Sequence, residues 1–272
     1  MRLLFLAAPA SVFLLGAWQP IYAQDQGGPI RQSLTVSAGV YQENRRDAAD
    51  SPLAYSGSGP GGRIDYDWTR ATRHWYVTLA AGKSTLAPTT SLQQDVPSQE
   101  AFSAYTIAAG TDWRLRGISP RVGTLSVGVE FATNVTIAQH LYSGQDLSEQ
   151  SFDMGTITLA PTVRWTKRFG FGDFGASLSV PLLAWVDHPY ADVRFATQFS
   201  EIHFASLAQY RQASGALTYA FRPESKYGAI AAYRLSVFDL SDIEPVRRVS
   251  QSFSIGVVRR FENPGTRVRS RR

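Results

Sequence analysis

From Leu34 onward, apolar residues recur at every second position in one segment after another, separated by polar or glycine-rich connections. A period of two belongs to β-strands, whose successive side chains leave opposite faces. Strand one, over 31–43, sets Leu34, Val36, Ala38 and Val40 against Ser33, Thr35, Ser37, Gly39 and Tyr41. Strand two, over 61–70, sets Ile64, Tyr66 and Trp68 against Arg63, Asp65, Asp67 and Thr69, and a tight reversal at Thr69–Thr72 leads into strand three. Strand three (73–84) carries Trp75, Val77, Leu79 and Ala81 on its apolar face, and strand four (101–115) carries Tyr105, Ile107, Ala109 and Trp113. In strand five Leu125, Val127, Val129 and Phe131 alternate cleanly with Ser126, Gly128 and Glu130. Strand six offers Ile157, Leu159, Pro161, Val163 and Trp165, and Pro161, which lacks a ladder donor, marks a candidate bulge. Phe174 to Leu182 form strand seven, Leu217, Tyr219 and Phe221 end strand eight, Tyr227 to Val237 form strand nine, and Phe253, Ile255, Val257 and Phe261 form strand ten.

The connections after strands two, four, six and eight are short. Those near 44–60, 85–100, 136–150 and 188–211 are long, and a briefer one joins strands nine and ten around 239–245. Alternating short and long connections, an apolar outward parity and an even strand count predict an all-β fold, a single antiparallel transmembrane β-barrel with both mature termini on the short-turn side. Eight or twelve strands stay open as alternatives, because the segment before Gln212 is poorly phased and strand one has few aromatics. Aromatic placement is an independent check, since Trp and Tyr favour the headgroup level of a membrane. Trp68, Trp75, Trp113, Trp165, Phe169, Phe174, Tyr219, Phe221, Tyr227 and Phe261 all fall beside short turns and predict one girdle. Phe102, Tyr105, Phe131, Phe152 and Trp185 predict a second, looser one. A soluble sandwich also uses aromatic alternation but gives no reason for aromatics to gather at alternate hairpins.

Residues 1–23 read as a cleavable leader: Arg2, an apolar run from Leu3 to Leu15, helix-breaking Gly16 and Pro20, and a small residue at Ala23. The run is shorter than the roughly 20 apolar residues of a spanning helix. A chain of 272 residues with no cysteine has no disulfide framework and no lipid-attachment cysteine. The net charge of +5 comes from arginines near turns or at interior parity, so nucleic acid is not expected as a partner.

At the other end, SFSIGVVRRF alternates and terminates in Phe261. It resembles the last-strand signal of Gram-negative outer-membrane β-barrel proteins. That resemblance implies an outer-membrane location, short turns in the periplasm, long loops outside, recognition by the barrel-assembly machinery, and contact with outer-membrane lipids including lipopolysaccharide. The chain departs from the pattern in the basic tail after Phe261, residues 262–272, expected in the periplasm. The barrel domain is then 24–261.

The interior parity collects Arg63, Asp65, Asp67, Asp112, Arg114, Glu130, Arg164, Asp173, Arg234 and Arg260. Charges of both signs facing one another in so narrow a barrel predict a lumen filled by ion pairs, because eight strands are already filled by side chains and ten add little room. An ion or small-solute path would need a continuous water column.

Catalytic chemistry has thin support. The four histidines are His74, near a short turn, and His140, His188 and His203, in or beside long loops. Asp187 next to His188, with Asp192 nearby, faintly resembles the Asp and His pairing of omptin proteases, which however stand one residue apart and need a second acidic pair on another outer loop. Glu201, His203 and Ser206 resemble the acid, His and Ser chemistry of barrel lipid A deacylases and phospholipases, in which His deprotonates the Ser hydroxyl. Those families separate His and Ser by one residue, whereas two stand between them here. No His and carboxylate cluster has metal-ligand spacing, and no cofactor is expected; Asp47 and Asp50 offer at most a weak surface cation site. Gly57, Gly59, Gly61 and Gly62 read as a flexible loop. Asn134, Val135 and Thr136 match a glycosylation sequon that carries no weight in a bacterial-type exported chain.

These readings converge on a non-catalytic barrel that binds a partner, lipid or envelope component through its loops or rim. A surface hydrolase is the first rival, and a narrow channel the second.

Overall fold

Twelve antiparallel strand segments account for nearly all described residues: β1 (Arg31–Asp47), β2 (Ala54–Arg70), β3 (Arg73–Pro88), β4 (Ser98–Arg114), β5 (Thr124–Tyr142), β6 (Gln150–Phe169), β7 (Gly172–Ser179), β8 (Leu183–Asp192), β9 (Thr197–Ser206), β10 (Tyr210–Phe221), β11 (Tyr227–Leu240) and β12 (Val246–Glu262). The computed structural model describes residues 30–47, 54–89, 98–119, 121–142, 150–170, 172–192, 197–241 and 245–262. The expected leader at 1–23, Asp50 and the tail beyond Glu262 lie outside the described residues.

The ladder runs β5-β4-β3-β2-β1-β12-β11-β10-β7-β6 and closes through β5–β6. Ten staves therefore make a closed barrel, which leaves no edge along its wall. The count of twelve arises because two staves are interrupted: β8 prolongs β7, and β9 precedes β10. Among the described residues no helix is long and apolar enough to cross a membrane, which says nothing of a barrel that crosses with strands.

Parity divides the barrel wall into two chemically distinct faces. Thr35, Ser37, Glu43 and Arg45 of β1 are buried, while Val36 and Val40 are exposed. On β12 Ser254 and Val258 are buried, and Phe253, Ile255 and Val257 are 57%, 65% and 60% exposed. An outer surface this apolar would be a liability in water, whereas in a bilayer it is the face that lipid covers.

Several strands run further than their sequence pattern suggests. The glycines from Gly57 to Gly62 are not a loop but the outer half of β2, paired with β1 from Arg46↔Ala54 to Gly39↔Gly61. Their lack of apolar contrast hides the strand, which is fixed by ladders on both sides. Likewise the segment expected as a loop at 188–211 is mostly the β8–β9 hairpin, in register from Leu183↔Ser206 to Asp192↔Thr197.

The β5–β6 register shifts once between Thr136 and Ile137, and a larger irregularity centres on Pro161. β6 pairs with β7 up to Thr162↔Ser179 and resumes with β8 at Leu159↔Leu183, so three residues, Val180 to Leu182, oppose two. Val180 and Leu182 still donate to the carbonyls of Pro161 and Leu159, at 3.3 and 3.0 Å. The extra residue lies opposite the proline that has no N–H to give. Inward parity flips there, from buried Pro181 to buried Ala184 and Val186. On the other side of this stave the pairing with β10 stops at Ser179↔Ser214 and that with β9 restarts at Leu183↔Ser206, leaving a seam between 180–182 and 207–213. Tyr210 to Ala213 are laddered only to β11.

Candidate functional site

The inward residues form two bridged layers separated by a cavity. Nearer the short turns, His74 of β3 stands between two carboxylates, its Nε2 2.9 Å from Asp67 and its Nδ1 3.1 Å from Asp112. Arg164 of β6 approaches Asp112 at 3.4 Å and lies over the Tyr76 ring at 4.8 Å. Thr162 donates to Asp112 at 2.9 Å, and the Tyr76 and Ser179 hydroxyls donate to Glu130 at 2.9 and 3.2 Å. A second group surrounds Asp65, which pairs with Arg63 at 2.7 Å, accepts from Thr78 at 2.6 Å and has Arg234 at 4.0 Å. Arg234 also donates to Ser254 at 3.1 Å. Eight strands, β2 to β7, β11 and β12, thus contribute charge or hydroxyl to one tier.

Nearer the long loops the layer is drier. Arg45 of β1 meets Glu100 of β4 at 2.6 Å, with side chains 1% and 2% exposed. Arg248 of β12 meets Glu43 at 2.9 Å, and Tyr41 also donates to Glu43. The Phe102 ring sits beneath both guanidiniums, 5.7 Å from that of Arg45 and 4.9 Å from that of Arg248. Tyr55, Leu86 and Ala138 pack around Phe102. Across the barrel Tyr210, Phe238, Leu240, Val246, Met154 and Val186 form an apolar cluster. Buried charges cost much desolvation energy unless paired, and here each guanidinium has both a carboxylate and an aromatic face.

Two glycines seat one tyrosine in each layer. A Cβ on Gly110 would fall 2.4 Å from the Tyr76 ring, and one on Gly82 would fall 2.6 Å from the Tyr41 ring. The missing side chains let the Tyr76 ring lie against neighbouring β4 and the Tyr41 ring reach past β2 to β3, each with its hydroxyl carried to a carboxylate.

Between the layers lies a cavity of about 320 Å³. β10, β11 and β12 line one wall with Gln212, Ser214, Ser236, Ser252 and Ser254, while β3, β4 and β5 line the opposite wall largely with Ala80, Gly82, Ala104, Ala108 and Ala132.

Of the interior residues expected from parity, Arg63, Asp65, Asp67, Asp112, Glu130, Arg164 and Arg234 belong to the short-turn tier. Asp173 pairs with Arg168 at 2.8 Å across the β6–β7 turn, and Arg260 donates to the carbonyls of Arg222 and Ser225 at 3.2 and 2.9 Å, tying β12 to the β10–β11 turn. Arg114 departs from the expectation: it ends β4 and is exposed. Phe102 is also corrected, from the second girdle to the fully buried interior, because its even number shares the parity of Asp112. Girdle residues lie outward: Trp68 stacks on Trp75 at 5.7 Å, Trp165 lies 5.9 Å from Phe174, Tyr219 lies 4.6 Å from Phe221, and Trp113 and Tyr227 are exposed. Phe261 carries the Arg259 guanidinium at 4.9 Å.

The hydrolase candidates are placed by register alone, apart from half-buried Asp187. His203 pairs with Val186 and Ser206 with Leu183, while His188 pairs with Glu201 and Asp187 with Ile202. His203 and Ser206 stand three residues apart on β9, at opposite parities and about 10 Å apart along the strand. Among the described residues no group of His, Asp and Glu has the arrangement of a metal site.

Sequence reading missed Glu43, Arg45, Glu100 and Arg248 as interior charges. The odd parity of β1 continued past Tyr41 would have found Glu43 and Arg45; the expected loops at 44–60 and 85–100 concealed Arg45 and Glu100.

No protein-family model matches the sequence, and no curated protein does. Among solved structures, the outer-membrane protease OmpT from Escherichia coli matches with a TM-score of 0.52 at 8% identity, over 87% of this chain and 98% of OmpT. The translocator domain of the autotransporter NalP from Neisseria meningitidis gives 0.41 at 10% identity, over 96% and 98% of the two chains. Ail, the attachment invasion locus protein of Yersinia pestis, gives 0.35 at 13%, over 84% and 98%. At such identities the likeness to OmpT speaks for architecture alone, and it agrees with the closed ten-stave ladder. The chain has the fold of the Gram-negative outer-membrane β-barrels.

Proposed function

We propose that the protein resides in the outer membrane as a barrel with a side-chain-bridged interior, and that it binds an envelope component, protein or lipid, through its rim and long-loop end rather than by conducting solutes or by catalysis. The observation that carries this reading is the pair of bridged layers, above all Arg45–Glu100 at 2.6 Å and Arg248–Glu43 at 2.9 Å under the long loops. Ion pairs this buried resist opening, because separating them strands a charge. The β8–β9 hairpin supports the choice of the long-loop end: among the described residues β9 is laddered only to β8, so its far edge can accept a partner strand.

Planar-bilayer recording of the refolded full chain tests the closed interior. Absence of conductance steps in wild type, with steps appearing on Glu43→Ala or Glu100→Ala, is the expected result. Steady wild-type conductance favours the second reading, a narrow channel, which the mid-barrel cavity supports.

A further inference from the structure

Each of the four short connections carries at least two basic residues. Arg70 and Arg73 flank the first, and Arg116 and Arg121 lie in the second, where the stretch from 114 to 124 has no Asp or Glu. Lys167 and Lys226 stand at the third and fourth. The acids beside those last two turns, Asp173 and Glu224, are both engaged by Arg168, at 2.8 and 2.7 Å. The short-turn rim is therefore strongly positive all around the barrel.

Three of the cations lie on aromatic rings of the girdle: Lys167 over Phe169 at 5.1 Å, Lys226 over Tyr227 at 5.6 Å and Arg259 over Phe261 at 4.9 Å. Phe169 and Tyr227 are themselves exposed. A ring at the membrane boundary with a cation folded onto it holds that charge at the depth of lipid phosphates, while the aliphatic stem covers apolar surface.

We propose that this rim is a belt for the headgroups of anionic glycerophospholipids in the leaflet that meets the short turns. The inference rests on the membrane reading above. Its occupant follows from the spacing of the charge: cations in ones and twos at every turn suit many separate monophosphate headgroups, whereas a single multiply phosphorylated lipid would call for one dense cluster. A negative surface attracts each such Lys or Arg within a Debye length, so the effect is sensitive to salt.

The test reconstitutes the full chain in phosphatidylcholine vesicles containing roughly one quarter phosphatidylglycerol, the anionic lipid supplying the surface charge. Lipids that stay with the protein on gentle extraction are then quantified. The ratio of phosphatidylglycerol to phosphatidylcholine among the retained lipids is expected to exceed that of the vesicle about fivefold or more, the effect of about one cation at an anionic surface. The enrichment should vanish in Arg116→Gln/Arg121→Gln/Lys226→Gln and at high salt, and persist in Lys83→Gln, which removes an exposed cation from the outer half of β3. Equal retention of both lipids overturns the proposal while leaving the membrane reading intact; a chain that stays outside the vesicles overturns both. In parallel vesicles containing lipid A, enrichment of lipid A without enrichment of phosphatidylglycerol also overturns it.

Discussion

Arg45 and Glu100, on staves three places apart, meet at 2.6 Å in a part of the barrel where neither side chain exceeds 2% exposure. The pair joins β1 to β4 across the interior and shares the Phe102 face with the pair Arg248–Glu43. Replacing only the acid, Glu100→Gln, leaves a buried guanidinium without its counter-charge and should cost about 3–5 kcal/mol. Replacing both, Arg45→Met/Glu100→Leu, should recover most of that loss. Urea unfolding of the refolded protein in micelles measures both; equal losses in the single and double variants would show that the pair's charge balance is not what matters.

Gly110 faces the Tyr76 ring so closely that any side chain must displace it. Gly110→Val should destabilise by ~1–3 kcal/mol through overpacking, and it should also detach the Tyr76 hydroxyl from Glu130. Tyr76→Phe with Gly110 intact separates the two effects, since it removes the hydrogen bond without the clash.

The seam beside Pro161 predicts uneven stability within a single stave. Ser214 to Phe221 are laddered to both β7 and β11, whereas among the described residues the β8–β9 hairpin is laddered to the rest of the sheet only at Gly155–Leu159. Hydrogen exchange should therefore strip protection from Leu183–Ser206 well before Ser214–Phe221. Simultaneous loss would mean that hairpin and barrel open as one unit.

The alternation of hydrophobic residues made the barrel legible because every stave contrasts an apolar outward row with a polar inward one; Ile255 and Ser254 are neighbours with opposite fates. Where that contrast fails, so does the reading. Gly57 to Gly62 have no side-chain pattern, and their strand is specified by partners on either side. Cross-barrel pairs are harder still: that Arg45 meets Glu100 three staves away, and Arg164 meets Asp112 two staves away, depends on how the closed wall curves, which no local window contains. Phe102 illustrates the remaining hazard, since an aromatic near a strand end suits a girdle by position and the interior by parity.

Ile255, 65% exposed in mid-strand, distinguishes lipid from water as the medium around the barrel. Ile255→Arg should cost about 2–4 kcal/mol in a bilayer, the penalty for a cation on a lipid-facing wall. In water an exposed substitution of this kind stays within about 0.5 kcal/mol. Unfolding from vesicles gives the number.

The most direct test of the account is the depth of the tryptophans. With the full chain reconstituted in vesicles of lipids brominated at graded positions along the acyl chains, Trp68, Trp75, Trp113 and Trp165 in the girdle should be quenched most by bromines nearest the headgroups. Tryptophan fluorescence indifferent to bromine at every depth would contradict the central claim, that the apolar outer face of this barrel is covered by lipid.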